Sequence, residues 1–178
     1  MKRQGLLDLN EAIQHPGTKL RFEVSTALVD EENLDLSEPV QGTLDVVSTG
    51  NILLLKAEFV AKCVLECARC GEPLNQTVEF KMADEFDVDG TPSGYGTGEY
   101  AQVVEEEDYP LFNKNALMRD VYVRQGLLVN MPVQPLCEFG WDGPCPRAKA
   151  KAKAEQREEQ LGHPAMQKLR ELVVPEED

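Results

Sequence analysis

One run of residues constrains the fold more than any other part of the chain. From residue 53 to residue 65 every odd position is apolar, whereas Lys56, Glu58 and Lys62 occupy even positions. Side chains of a β-strand alternate between its two faces, so this run would place its apolar residues on one face. The sequence therefore predicts a long strand that is buried on one side and exposed on the other.

Other segments with the same period predict the partners of this strand. After a turn-forming segment, residues 77–82 again alternate between polar and apolar side chains. We therefore expect an antiparallel hairpin formed by residues 51–66 and 74–88. Alternation at 20–29 and 40–48 predicts two further strands of an antiparallel sheet.

Four segments have helical character. Apolar spacing of about 3.6 residues predicts a helix near 114–129 with Asn113 as its N-cap. The predicted inward face of this helix is Leu117, Met118, Val121, Gln125 and Leu128. The Ala-rich, charged segment 147–160 predicts an exposed helix, and shorter helices are predicted at 8–14 and 166–173.

These patterns together predict an α+β fold. We expect an antiparallel sheet built around the long hairpin, with a C-x-x-C turn at its tip, one or two helices packed on it, and a helical C-terminal segment. A single domain would span residues 1–146 and include a flexible acidic loop at 84–108. Residues 147–178 would form the charged helix and a short amphipathic C-terminal helix.

The charge of the chain is strongly partitioned. Its 178 residues include 18 Lys and Arg against 32 Asp and Glu, for a formal net charge of -14. Seventeen of the acidic residues lie in segments 30–38, 84–108 and 176–178, which contain no Lys or Arg, and the rest of the chain carries +3. A uniformly acidic surface would disfavour RNA as a partner, but this partition allows local basic sites.

Two interpretations of the acidic segment 84–108 are open. Blocks of like charge are commonly solvated loops that repel one another. Alternatively the segment docks a basic partner, and the candidate residues are then Glu105, Glu106, Glu107 and Asp108.

Several classes of protein are disfavoured by what the sequence lacks. No apolar run is long enough for a membrane span, and no signal-type region follows the N-terminus. We therefore expect a cytoplasmic protein without a membrane partner. The sequence also lacks glycine-rich phosphate loops and the common hydrolase motifs, and both histidines precede proline. A non-enzymatic role is expected.

The five cysteines divide into four candidate metal ligands and one core residue. Cys67 and Cys70 form a C-x-x-C turn, and Cys137 and Cys145 follow later in the chain, so that four thiolates could hold a structural zinc ion. Metal-free thiols and a reversible disulfide are the open alternatives. A redox C-x-x-C normally opens a helix, whereas strands flank this one. Cys63 lies on the apolar face of the long strand and is predicted to be a core residue.

Several motifs occur in a recognisable order. They are L-x-C-x-R-C-G-x-P at 65–73, M-P-V-Q-P-L-C at 131–137, G-P-C-P at 143–146 and H-P-A-M-Q-K-L at 163–169, together with Pro-Gly at 16–17. This order resembles that of the YceD-like large ribosomal RNA subunit accumulation proteins over nearly the whole chain. Many members end the second cysteine cluster in C-P-x-C-G, where this chain has Cys145-Pro146-Arg147-Ala148.

The resemblance implies an accessory factor for synthesis, processing or stability of 23S rRNA. Its partner would be a basic ribosomal protein, which the acidic segment would hold, or a large-subunit precursor. Arg69 is a candidate partner-binding residue as well. Direct contact with rRNA would use Arg69, Lys149, Lys151 and Lys153. Two other functions are open, namely a zinc-stapled interaction adaptor without a ribosomal role and a thiol redox protein.

Overall fold

The computed structural model describes residues 5–28, 34–93, 100–105 and 110–161, with side chains up to residue 154. The chain divides into two compact units. The first comprises residues 1–65 and 75–133, and the second comprises residues 66–74 and 134–178. The predicted domain boundary at residue 146 remains a prediction.

A five-stranded sheet dominates the first unit. Its strands are β2 (Lys19–Thr26), β3 (Val40–Ser48), β4 (Ile52–Glu66), β5 (Pro73–Asp89) and β6 (Gln102–Val104), in that order across the sheet. Strand β2 pairs with β3, β3 with β4 and β5 with β6, each in antiparallel orientation. The two strands predicted before the long hairpin are thus present.

The alternation at 53–65 forms a half-buried strand, as predicted. Residues 53, 55, 57, 59, 61 and 63 are all buried in the core, whereas Lys56, Glu58 and Lys62 are exposed. Strand β5 returns beside β4 in register: Phe59 packs on Phe80 with ring centroids 5.4 Å apart. Glu58, the residue before Phe59, forms an ion pair at 2.7 Å with Lys81, the residue after Phe80. The predicted antiparallel hairpin is therefore confirmed.

A second, three-stranded sheet changes the prediction for residues 113–118. Strands β1 (Leu6–Asp8), β7 (Phe112–Asn113) and β8 (Ala116–Met118) form it in the order β1, β8, β7. Asn113 lies in a strand and is not an N-cap. The reason is a tight turn after β7, where Lys114 has a φ of 59°, which lets β8 pair with β1 on its other side.

Helix α2 (Arg119–Asn130) consequently begins later than predicted and buries a different face. Its buried residues are Tyr122, Val123, Gly126 and Leu127, while Leu128 is 42% exposed. Leu117 is fully buried, but from strand β8. Helix α1 (Asn10–Gln14) occupies part of the predicted segment 8–14. Aliphatic residues of both helices belong to the same core as the sheet.

Residues 84–88 belong to two predictions, the hairpin strand 74–88 and the acidic loop 84–108, and the structure supports the strand. Residues 84–89 continue strand β5, and residues 102–104 form β6, which pairs antiparallel with Asp87, Val88 and Asp89. The alternating pattern of 77–82 continues through Phe86 and Val88, so the strand extends into the acidic region. Residues 94–99 and 106–109 lie outside the described part of the chain.

The second unit contains the tip of the hairpin, a series of turns and helix α3 (Pro146–Leu161), close to the predicted 147–160. The predicted helix at 166–173 lies outside the described residues. Within the described residues, no helix combines the length and apolar character needed to span a membrane.

Candidate metal centre

The turn between β4 and β5 positions the first two cysteines. The backbone N–H of Cys67 donates to the carbonyl of Glu72 at 2.8 Å, and the N–H of Gly71 donates to the carbonyl of Cys67 at 2.9 Å. Gly71 has a φ of 76°, a conformation that costs glycine little. This tight turn fixes Cys67 and Cys70 on the same side of the hairpin tip.

A second segment supplies the other two cysteines. The N–H of Ala68 donates to the carbonyl of Pro135 at 2.8 Å, which ties residues 134–137 to the hairpin tip within the second unit. The chain then turns, with the N–H of Gly140 bonded to the carbonyl of Cys137 at 2.9 Å. It returns at Cys145, whose carbonyl accepts the N–H of Lys149 in the first turn of α3.

The sulfur atoms converge as a metal site requires. Those of Cys67, Cys70 and Cys137 all lie within 4.8 Å of one another. Cys145 lies outside this group of three, but its thiol interacts with those of Cys70 and Cys137. Tetrahedral zinc with Zn–S bonds of about 2.3 Å holds sulfurs about 3.8 Å apart, a spacing that is compatible with the separation of the three sulfurs. The four cysteines thus form a cluster that could bind a metal ion.

Backbone N–H groups favour the thiolate form, which is the form that binds metal. The N–H groups of Cys70, Cys137 and Arg69 lower the pKa of Cys67 to about 6 although burial opposes them. The N–H of Cys137 approaches the Cys67 sulfur to 3.4 Å. Burial, followed by contact with the Cys67 thiol, raises the pKa of Cys70 to about 12. The backbone N–H groups thus favour the thiolate of Cys67, whereas burial favours the thiol of Cys70.

The turn at Cys145 repeats the pattern of the turn at Cys67. The N–H groups of Ala148 and then Arg147 lower the pKa of Cys145 against the effect of burial. The N–H of Ala148 lies 3.4 Å from the sulfur. The sulfurs of Cys67 and Cys145 thus each accept the backbone N–H groups of the second and third residues that follow. Ala148 occupies the position that corresponds to Cys70. The departure from C-P-x-C-G removes one thiol but keeps the turn.

Cys63 is separate from this cluster. It is 1% exposed within the hydrophobic core of the first unit, and burial raises the pKa of its thiol. The prediction that Cys63 is a core residue is confirmed.

Arg69 has an internal role that the sequence pattern did not reveal. One guanidinium nitrogen, Nη1, donates to the carbonyls of Gly140 and Gly143, both at 2.9 Å. These carbonyls lie in the loop between Cys137 and Cys145, so Arg69 joins that loop to the C-x-x-C turn. The only signal in the sequence was the arginine inside the motif together with the glycines of the later loop. Arg147 also makes an internal contact, an ion pair with Glu72.

The other predicted partner-binding residues are placed only in part. The carboxylate of Glu105 accepts the N–H groups of Leu111 and Phe112, at 2.8 and 3.0 Å, and so stabilises the entry to β7. This use of both oxygens was not predicted. Glu106, Glu107 and Asp108 lie outside the described residues.

The predicted basic residues of α3 are exposed. Lys149, Lys151 and Lys153 all have exposed side chains. Arg69, Lys149 and Lys151 line a cavity of about 310 Å³ together with Ala148 and Ala152. The structure therefore brings three of the four predicted RNA-contacting residues to one place within the second unit.

Comparisons with curated proteins and with solved structures found no match for the chain. The family model described as large ribosomal RNA subunit accumulation protein YceD matches residues 55–173, which is more than half of the chain and includes all five cysteines. This match confirms the resemblance seen in the order of the motifs. The chain belongs to the YceD family of large ribosomal RNA subunit accumulation proteins.

Proposed function

We propose that this protein is a non-enzymatic, cytoplasmic accessory factor that supports the accumulation of 23S rRNA by binding a basic ribosomal protein, alone or in a large-subunit precursor. Membership of the YceD family carries the ribosomal part of this proposal. The absence of a recognisable catalytic motif in the sequence supports a binding role rather than catalysis.

An acidic row on β5 supports a basic protein as the partner. Glu85, Asp87 and Asp89 occupy alternate, exposed positions and so project from the same face of the strand. The residues paired with Asp87 and Asp89 on β6 are Val104 and Gln102, which carry no charge. These carboxylates are therefore placed to attract Lys and Arg of a partner, and salt would weaken the attraction.

A structural zinc ion completes the proposal. Cys67, Cys70, Cys137 and Cys145 would hold it, and the ion would crosslink the hairpin tip to the segment before α3. The support is the convergence of the sulfurs and the N–H groups directed at two of them. Elemental analysis should find about one zinc per chain in the purified protein and little in Cys70→Ser. Less than about a tenth of an equivalent in the unmutated protein would contradict the zinc assignment.

Direct contact with rRNA is a second candidate function, favoured by the cavity that Arg69, Lys149 and Lys151 line. Phosphate groups bind where several Lys and Arg converge. Lys149→Gln with Lys151→Gln would then weaken crosslinking of the protein to 23S rRNA. If crosslinking is unchanged, this candidate is wrong.

Sedimentation of cell extracts tests the main proposal. The unmutated protein should co-migrate with large-subunit precursors, and a variant carrying Glu85→Gln, Asp87→Asn and Asp89→Asn should co-migrate at least about tenfold less. A matched control carries Glu11→Gln, Glu23→Gln and Asp35→Asn, which remove the same charge from other exposed sites. If the unmutated protein never co-migrates with these particles, the proposed function is wrong. If both triple variants lose binding equally, the role of the acidic row is wrong.

A further inference from the structure

Within the part of the chain that the structure describes, strand β5 has a partner along only part of its outer edge. Strand β4 lies on one side of it, and β6 lies on the other side, where its register covers Asp87, Val88 and Asp89. Among the described residues, no strand pairs with positions 75–85 of β5 on that side. A strand edge with free N–H and C=O groups is a template for pairing with another chain.

Two backbone hydrogen bonds identify the residues whose polar groups face this edge. The N–H of Val88 donates to the carbonyl of Asn51 at 2.8 Å, and the carbonyl of Glu72 accepts the N–H of Cys67 at 2.8 Å. In an antiparallel ladder successive residues face opposite neighbours, so the even-numbered residues of β5 bond to β4. Val88 and Glu72, at opposite ends of the pairing with β4, are both even-numbered, so the register of β4 with β5 has no net shift between these two bonds. The residues that direct N–H and C=O groups to the free edge are Asn75, Thr77, Glu79, Lys81, Ala83 and Glu85.

The charge along this edge determines what can pair with it. Glu79 and Glu85 have exposed side chains, and Asp87 and Asp89 continue the acidic row. Lys81 is already paired with Glu58 at 2.7 Å. A second copy of this chain would bring the same carboxylates to the edge and be repelled, whereas a strand rich in Lys or Arg would be attracted.

We propose that an extended, Lys- and Arg-rich segment of a protein partner adds to residues 75–85 of β5 as a sixth strand of the sheet. This inference rests on the proposed function, in which the partner is a basic ribosomal protein. Main-chain hydrogen bonds supply affinity in such strand addition, and alternate side chains supply specificity. Glu79 and Glu85 lie about 20 Å apart along the strand, so cations at alternate positions of the segment would meet both.

Synthetic peptides test the mode of binding. The probe is a peptide of about ten residues that alternates lysine with valine, and the full-length protein is observed by amide hydrogen exchange. Binding should slow exchange at least about tenfold at Thr77, Glu79, Lys81 and Ala83. A peptide N-methylated on the edge that faces β5 should bind at least about tenfold more weakly than one N-methylated on its other edge. Protection confined to other sites, equal binding of the two methylated peptides, or equal binding of a glutamate–valine peptide would overturn the proposal.

Variants of the protein give an independent test. Ala83→Pro removes an N–H from the free edge without removing a bond to β4, and Ala83→Val is the control that keeps the N–H. Ala83→Pro should weaken binding of the lysine–valine peptide at least about tenfold, while Ala83→Val should not. If circular dichroism shows that Ala83→Pro is unfolded, the double variant Glu79→Lys, Glu85→Lys tests the proposal instead, because it leaves the backbone intact. This double variant should bind the lysine–valine peptide more weakly than the unmutated protein. Unchanged binding by the double variant, or a dimer of the unmutated protein formed through this edge, would contradict the proposal.

Co-migration with large-subunit precursors separates this inference from the function on which it rests. If the unmutated protein and folded Ala83→Pro co-migrate equally, strand addition is wrong and the proposed function stands. If the unmutated protein does not co-migrate, the proposed function is wrong and the assignment of the partner fails with it. Co-migration that Ala83→Pro loses and Ala83→Val keeps supports both.

Discussion

Replacing Arg69 should weaken zinc binding although Arg69 is not a ligand. Its Nη1 donates to the carbonyls of Gly140 and Gly143, and both bonds are partly buried. Hydrogen bonds from charged groups contribute about 1.5–3 kcal/mol each, and partial exposure reduces this to about 1 kcal/mol each. Arg69→Met keeps most of the side-chain stem but removes both bonds, so it should cost the metal-bound form about 2 kcal/mol.

The loss of stability of the metal-bound form can be expressed as a change in zinc affinity. Since about 1.4 kcal/mol corresponds to a tenfold change, Arg69→Met should weaken zinc binding by about 30-fold. The estimate falls within the 10–100-fold range that is common for residues that orient metal ligands. The zinc affinity of Arg69→Lys should lie between those of the unmutated protein and Arg69→Met, because a single ammonium group cannot reproduce the planar guanidinium geometry.

Competition for zinc with a chromophoric chelator measures the effect. The matched control is Arg147→Met, since Arg147 holds the corresponding place after Cys145 and its ion pair with Glu72 is largely exposed on the arginine side. Exposed ion pairs contribute less than about 1 kcal/mol, so the control should change zinc affinity less than about fivefold. An affinity of Arg69→Met within about twofold of the unmutated protein would refute the orienting role of Arg69. Equal losses in the two variants would refute it as well.

Three further predictions concern the first unit. Gly42→Ala should destabilise the protein by about 1–3 kcal/mol in urea unfolding, because a Cβ there would collide with the backbone carbonyl of Glu58; an unchanged midpoint would contradict this close approach. Burial alone would raise the pKa of Asp120, but hydrogen bonds, first that from Thr26 at 2.7 Å, hold it below its usual value. The ionised Asp120 therefore stabilises the folded protein above the unfolded pKa of about 3.9, and this stabilisation is lost as the pH falls through the folded pKa. The stability of Asp120→Asn should consequently depend less on pH below about 4 than that of the unmutated protein. Equal pH dependence of the two proteins in acid unfolding would contradict this role of Asp120. Cys63→Ala should cost about 1 kcal/mol of stability and leave the zinc content unchanged, whereas loss of zinc would place Cys63 in the metal site.

The long hairpin could be predicted because its signal is local and repeated. Apolar and polar residues alternate over many positions of β4, which determines the face of the strand that is buried. The same alternation in β5 identifies β5 as the partner of β4. A shared metal site was one of the interpretations that the C-x-x-C turn and the two later cysteines left open, and the convergence of the sulfurs is what metal ligands require.

The errors arose where pairing between distant segments overrides a local pattern. Residues 116–118 fit the helical spacing, but pairing with Leu6–Asp8 draws them into a strand and moves the helix start to Arg119. For residues 84–88 the sequence predicted both the end of the hairpin strand and the start of an acidic loop, and alternation together with pairing with β6 keeps these residues in β5. The acceptors of the Arg69 hydrogen bonds could not be identified from the sequence, because they are backbone carbonyls, which every residue type supplies.

The ratio of 23S to 16S rRNA in the native host tests the central claim most directly. Cells that lack the protein are complemented with the unmutated chain, with the variant carrying Glu85→Gln, Asp87→Asn and Asp89→Asn, or with the charge-matched control. The ratio should fall without the protein and should recover with the unmutated chain and with the control, but not with the acidic-row variant. An unchanged ratio in cells without the protein, or full recovery with the acidic-row variant, would contradict the proposed function.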